Sequence, residues 1–538
     1  MGTKAVRLLS GWLAAFYLLS AGIADVSANE FRTPSMSAVR VEWRAVLDQL
    51  RSEISSRPAI ASRFTFAGQR RVSAWDPRAT PALVQLNAIN SAMFAGIGRS
   101  PVPVLLPFDT AAYLEAEASG TQAPAVSRHQ AGFRPVDLFY AGPSGYDAVF
   151  SLDPGAGEGL PSRIFARPVE VQITGSILVY DLADPLGGKG EPVKALASQY
   201  PDMRRFIREG YVRYAFTRFG VPYVVSIQCL DSAPRARRLA CREAYPIAQR
   251  FLKALRIAGG QPARPRFDVS SEVAERPATL SPDFSYRPSG DIIANSGARR
   301  RGGRADLVAY SQIRFPLERA PARVSSQQFA KRKSGERQGT HQGTYQSVYP
   351  WRDNFCEARS FQVGQCAAGF GHQGQDIRPA PCPPNPGADN SCHPRKQAVI
   401  AVRDGVIIRS LKQQAATLQI NTGKEHIRFR YMHMNPSAMD ADGILNGRRV
   451  AEGEKIGVVS NYLDFPNGTS YHLHFDVQVF TRDGWIWVNP YTTLIASYER
   501  LIRGRGHQIG TEPPAAAAVA HALPENVLRH AAREGREN

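Results

Sequence analysis

The apolar positions of this chain change their period several times. Over residues 39–54, Trp43, Val46, Leu47 and Leu50 recur every three or four residues, which predicts one amphipathic helix. Over 101–231 the runs shorten and a strand period takes over, most clearly at 102–106, 169–180 and 211–229. Arg218-Phe219-Gly220-Val221-Pro222-Tyr223 breaks the last of these into two alternating halves. Helical spacing returns over 242–257, with Tyr245, Ala248, Phe251, Leu252 and Leu255 on one face. Periodicity then fades into a stretch rich in Pro, Ser, Arg and Gly that ends in Arg299-Arg300-Arg301-Gly302-Gly303-Arg304. Alternation resumes further on, at 428–433 and again at 472–480.

These shifts predict an α+β domain over 29–258, a linker over 259–305, a second domain over 306–500 and a disordered tail over 501–538. Gln312-Ile313-Arg314-Phe315-Pro316-Leu317 reads as the opening of the second domain, and Lys331-Arg332-Lys333 as part of a polar loop. Lys4 and Arg7 precede an apolar run at 8–23, and Val26-Ser27-Ala28 offers a small-residue cleavage site, with Ala24 as a second choice. That layout predicts a secretory signal peptide over 1–28, an uncleaved anchor being the other reading.

The six cysteines are even in number and clustered, which agrees with disulfides in an oxidising compartment. The simplest pairing is Cys229 with Cys241, Cys356 with Cys366 and Cys382 with Cys392; the last four also admit other connectivities. No C-x-x-C string supports a structural zinc among them. A formal net charge of +19 favours anionic wall polymers or membrane surfaces, and no nucleic-acid reader motif accompanies it. Solvated surface charge explains that excess equally well.

The chemistry concentrates in three short strings: Gly371-His372-Gln373-Gly374-Gln375-Asp376, Tyr431-Met432-His433-Met434 and Tyr471-His472-Leu473-His474-Phe475. Two imidazoles and a carboxylate make a zinc-ligand set that leaves one coordination position open, as in hydrolytic sites. Two further imidazoles would remain for proton transfer. On a strand His472 and His474 face the same way while Leu473 enters a core. Residues 428–433 read as another strand delivering His433, and Gly374 would let a turn bring His372 and Asp376 to one point. Asp476 shares the face of His474, either as a partner for an imidazole N–H or as a solvated carboxylate. His129, His341, His393, His426, His507, His521 and His530 carry no such pattern. His426 in particular reads as lying off the strand of His433, and most of these are expected to be exposed and without a role.

The three strings resemble the lysostaphin/LytM-type zinc metallopeptidases, whose pattern is H-x-G-x-D, then Y-x-H-L, then H-L-H. The stretches 398–407 and 452–459 resemble that family's strand with its Gly turn and its Gly-rich hairpin. The resemblance covers about residues 306–500 only. Met434 stands where the family usually has Leu, Tyr471 where Pro, Gly or Ser is common, and a Cys- and Pro-rich insert occupies 380–397. Carried over by position, it implies that His372, Asp376 and His474 bind one zinc ion and that His433 and His472 are the catalytic pair.

The fold it implies is a mainly antiparallel β domain, and the activity a peptidoglycan endopeptidase. With an exported, disulfide-bearing chain, the periplasm of a Gram-negative bacterium fits, and a D,D-endopeptidase fits better than a glycyl-glycine one. A non-catalytic module of the same type that activates a wall amidase is the alternative. The 29–258 domain resembles no recognised family. It reads as regulatory or wall-binding, for example as a pro-domain over the cleft that would leave the enzyme autoinhibited.

Overall fold

Strong alternation in two separate parts of the chain builds two antiparallel sheets, which the fold stacks face to face. A computed structural model describes residues 35–510, except for 67–80, 120–129, 154–159, 161–164, 183–189, 230–237, 263–283, 292–310, 326–349, 380–396 and a few isolated positions. The expected signal peptide, the polar loop at 331–333 and the Cys382–Cys392 pair lie outside the described residues. The architecture is mixed α/β with mostly antiparallel sheets.

The N-terminal sheet has seven strands: β1 (Phe133–Gly142), β2 (Gly145–Leu152), β3 (Glu170–Ser176), β4 (Glu191–Pro192), β5 (Arg204–Arg208), β6 (Tyr211–Arg218) and β7 (Val221–Gln228). Its order is β1-β2-β3-β7-β6-β5-β4. The expected Gly/Pro break is the β6–β7 hairpin, where Phe219 and Gly220 both take positive φ. Helix α1 (Trp43–Ser55) buries Trp43, Val46, Leu50 and Ile54 at helical spacing, and α2 (Ala244–Ala254) buries Ile247, Ala248, Phe251 and Leu252. Both pack into one core with Tyr146, Phe150, Val171, Ile173 and Val225 from the sheet. Helix α2 is shorter than its periodicity suggested. Leu255 turns extended, and Arg256–Gly259 pairs with Val104–Leu106 as a strand.

The second sheet has eight strands: β8 (Ala322–Val324), β9 (Gln375–Pro379), β10 (Gly405–Ile408), β11 (Ala416–Asn421), β12 (His426–Met432), β13 (Arg449–Val450), β14 (Leu473–Thr481) and β15 (Gly484–Val488). Its order is β8-β9-β14-β12-β11-β10-β13, with β15 also paired to β14. Alternation sends Leu418, Ile420, Phe429, Tyr431, Leu473, Phe475 and Val477 to one face, where they form a core with helix α3 (Tyr491–Ile502).

Two expectations about the chain's organisation meet a different structure. Phe284–Tyr286, inside the stretch read as linker, is a strand paired in parallel with Gly506–Gln508, inside the stretch read as tail. Phe284 stacks among Trp351 and Tyr498, and Phe315 closes the cluster, so aromatic packing holds both segments on the second domain. His426 is the other correction. It is the first residue of β12, fully buried, with Nε2 at 2.8 Å from Asp147 of the N-terminal sheet.

Two disulfides, Cys229–Cys241 and Cys356–Cys366, match the expected pairs and suit an oxidising, exported setting. Among the described residues no helix is long and apolar enough to cross a membrane.

Candidate metal centre

The polar face of the second sheet gathers all five sequence-predicted residues. Antiparallel pairing sets Asp376 opposite His474 and Met432 opposite His474, so β9, β12 and β14 bring the three strings side by side. His472 lies just before β14, and His433 just after β12 rather than on it. His433 adopts a left-handed conformation, φ 68°, and its N–H donates to the Gln414 side chain. Such a backbone is uncommon for a non-glycine residue and persists only where neighbours enforce it.

His372 Nε2, Asp376 Oδ1 and His474 Nδ1 form a triangle. Its edges are 3.0 Å between the two nitrogens and 3.3 Å from each nitrogen to the oxygen. Bonds of about 2.0–2.2 Å to a tetrahedral zinc would put such donors roughly 3.3 Å apart. The donor set therefore fits a zinc ion without rearrangement, and all three residues are buried. His472 Nε2 points at the same carboxylate oxygen, 3.3 Å away, and the His433 and His472 rings lie 4.7 Å apart.

Backbone carbonyls orient three of the four rings. His372 Nδ1 meets the Asn354 carbonyl at 2.9 Å, His433 Nδ1 the Tyr462 carbonyl at 2.6 Å, and His472 Nδ1 the Ser470 carbonyl at 2.7 Å. A carbonyl can only accept, so each Nδ1 carries the proton and each Nε2 keeps its lone pair. His474 is turned the other way, and its Nε2 lies 3.3 Å from Asp476. Asp476 is fixed in turn by Arg430, which donates at 2.7 Å, and by the Trp487 indole N–H at 3.2 Å. Asp476 is therefore a carboxylate buried behind His474, not a solvated one: its exposure is 0%.

Burial tends to raise the Asp376 carboxyl, but the His472 and His372 imidazoles pull it well below its ordinary 3.8. His433 is pushed well below 6.5 by burial first and then by His472 and His474, so its imidazole is neutral near pH 7. His472 is lowered mainly by burial. For His474, burial opposes the charge, but bonds to Asp376 and Asp476 outweigh it and raise the value.

Gly374 has a different purpose from the one its sequence position suggests. It does not take a left-handed turn; a Cβ there would stand 2.4 Å from the Phe475 carbonyl oxygen and 2.9 Å from His474 Nε2. Close approach of the first string to β14 requires the glycine. The Cys356–Cys366 loop braces the same string: Cys356 N–H donates to the His372 carbonyl at 2.8 Å, and Gly371 packs against both cysteines. Asn354, Tyr462 and Ser470 act through main-chain carbonyls, which leave no side-chain signature. Arg430 and Trp487 were legible only as members of strands facing the same way as Asp476.

No family model matches the chain, and no curated protein matches it. Among solved structures, the chain is similar to the crystal structure of a glycyl-glycine endopeptidase LytM from Ruminococcus gnavus, at 16% identity and a TM-score of 0.21. The match covers 38% of this chain and 65% of that one, so the chain spans a little under two thirds of the neighbour's length. At that score the likeness carries no argument. The candidate centre stands on its own donor geometry.

Proposed function

We propose that the second domain is a zinc-dependent endopeptidase acting on the peptide cross-links or stem peptides of peptidoglycan, with a D,D-bond favoured over a glycyl-glycine bond. The observation that carries the reading is the convergence of three metal donors at 3.0–3.3 Å with two more oriented imidazoles beside them. His372, Asp376 and His474 would hold the ion. When bound, zinc supplies Lewis acidity toward a carbonyl and makes a coordinated water acidic enough to attack near neutral pH.

The chain's own groups do the rest. The neutral His433 and His472 imidazoles present Nε2 lone pairs, so one can take the proton of the attacking water. The other, once protonated, can donate to the oxyanion or to the leaving amine. Asp476, held by Arg430 and Trp487, fixes the ring of His474 and raises its basicity. The alternative, a non-catalytic module that activates an amidase, has no need for the two oriented imidazoles beyond the metal set. The apolar run at 8–23 and the two disulfides support an exported, periplasmic location as part of this reading.

The test is exhaustive digestion of purified cross-linked peptidoglycan with the zinc-loaded full chain, with mass analysis of the muropeptides. Loss of cross-linked dimers that stops on chelation and in His474→Ala supports the endopeptidase. Dimers that persist while an added amidase becomes more active support the activator instead.

A further inference from the structure

Apolar packing fixes the two sheets against each other. Tyr180 and Leu182 of the N-terminal region enter the core of the second domain, and Phe480 and Trp485 of the β14–β15 hairpin enter the first core. The seam between the sheets also encloses a polar cavity of about 30 Å³. Arg213 of β6 and Ser226 of β7 line it from one side, and Arg428, Arg430 and Gln478 of β12 and β14 from the other. Antiparallel register explains the convergence. Arg213 pairs with Ser226, Arg428 pairs with Gln478, and Arg430 lies two residues along on the same face as Arg428.

The wall of this cavity carries three guanidiniums and no Asp or Glu. A guanidinium stays protonated in a protein and can only donate. Asp147 meets Arg428 at 3.2 Å and Asp476 meets Arg430 at 2.7 Å, but neither carboxylate lines the cavity. Arg213 donates to the Trp485 carbonyl at 2.8 Å and lies over the Trp487 ring. Two further donors point the same way. The Gln478 amide and the Ser226 hydroxyl, in residues only 6% and 5% exposed, meet no hydrogen-bond partner among the described residues.

Such a volume has room for roughly one or two water-sized particles. Water would satisfy single donors but leave the converging charges uncompensated, and buried charge costs several kcal/mol unless an opposite charge offsets it. The arginines cannot swing apart, because the apolar contacts hold both sheets in place. We propose that the cavity is a binding site for one small monovalent anion of halide size, held by Arg213, Arg428 and Arg430 with the Gln478 amide and Ser226 hydroxyl completing its shell. Charge selects an anion, and the volume restricts it to a compact one. Because both sheets contribute donors, the bound ion ties them together and adds to the stability of the whole fold. It would bind whether or not the metal centre cleaves peptides.

The test is thermal unfolding of the full chain as chloride replaces gluconate, an anion too large for the cavity, at constant ionic strength. Wild type is expected to gain about 1–3 °C in its midpoint between about 1 and 100 mM chloride. Bromide should act in the same way, and crystals grown in bromide should show one anomalous peak inside the cavity. Arg213→Gln and Gln478→Leu should each lose most of the chloride-dependent shift. Should Arg213→Gln not fold, Gln478→Leu carries the comparison alone. Equal midpoints in chloride and gluconate mean a water-filled cavity and overturn the proposal. A shift that survives in the folded variants, or a bromide peak only outside the cavity, places the anion elsewhere and overturns it too.

Discussion

The two faces of β14 are built by one alternating string and are equally buried, yet they are held by different physics. Leu473, Phe475, Val477 and Val479 face a core where non-directional apolar burial is sufficient. His474, Asp476 and Gln478 point to the opposite face and are buried there, where each polar group must find a specific partner to offset its desolvation. Asp476 finds Arg430, Trp487 and His474; His474 finds Asp376 and Asp476. Positions on the first face can exchange for residues of similar volume, whereas on the second face the identity of each atom matters. A buried polar face this specific is where chemistry is expected to sit.

The polar face is most sensitive at His474. Replacing it with Ala removes a donor from the triangle, and bound zinc is expected to fall from one per chain to near zero, with cleavage down by at least about 10³-fold. Metal analysis and muropeptide mass analysis check both, and unfolding should change far less than activity. On the apolar face the expectation is reversed. Phe475→Ala should cost about 3–5 kcal/mol of stability through transfer and cavity terms, read as a lowered denaturation midpoint. A variant that keeps its midpoint would show that this face is not a packed core.

Asp476→Asn is a finer probe, because it keeps the shape and removes the charge behind His474. Zinc affinity should weaken by about 10–100-fold with little loss of fold. Competition against a chelator measures it. The seam gives the smallest and most pH-dependent effect. Burial favours the protonated Asp147 carboxyl, but His426 and Arg428 outweigh it and hold it below the ordinary 3.8. A depressed carboxyl stabilises the fold above its unfolded value, and that stability drains away as pH falls through the lower folded value. The stability advantage of wild type over Asp147→Asn should therefore be full above pH 3.8 and vanish in stronger acid. A difference that grows on acidification would contradict the pairing.

The sequence announced the apolar face and the ligand strings because both are local: a period of two, and histidines at spacings of two and four. It could not announce the seam. Asp147 and His426 are 279 residues apart, and neither sits in a pattern that names the other. For the same reason His426 read as a surface residue. Asp476 could be read either way, since an alternating strand looks alike whether its polar face meets water or a second sheet. The Phe284–Tyr286 strand was hidden by its Pro- and Arg-rich surroundings, and its partner lies over two hundred residues away. The carbonyls that orient His372, His433 and His472 belong to the backbone, where side-chain patterns are silent.

Three donors on the polar face would hold one zinc ion. Anomalous scattering at the zinc edge from crystals of the zinc-loaded chain tests it most directly. The expected result is a single peak at bonding distance from His372 Nε2, Asp376 Oδ1 and His474 Nδ1, with no protein atom in the fourth position. A peak elsewhere, or no peak from a folded, zinc-equilibrated protein, would contradict it.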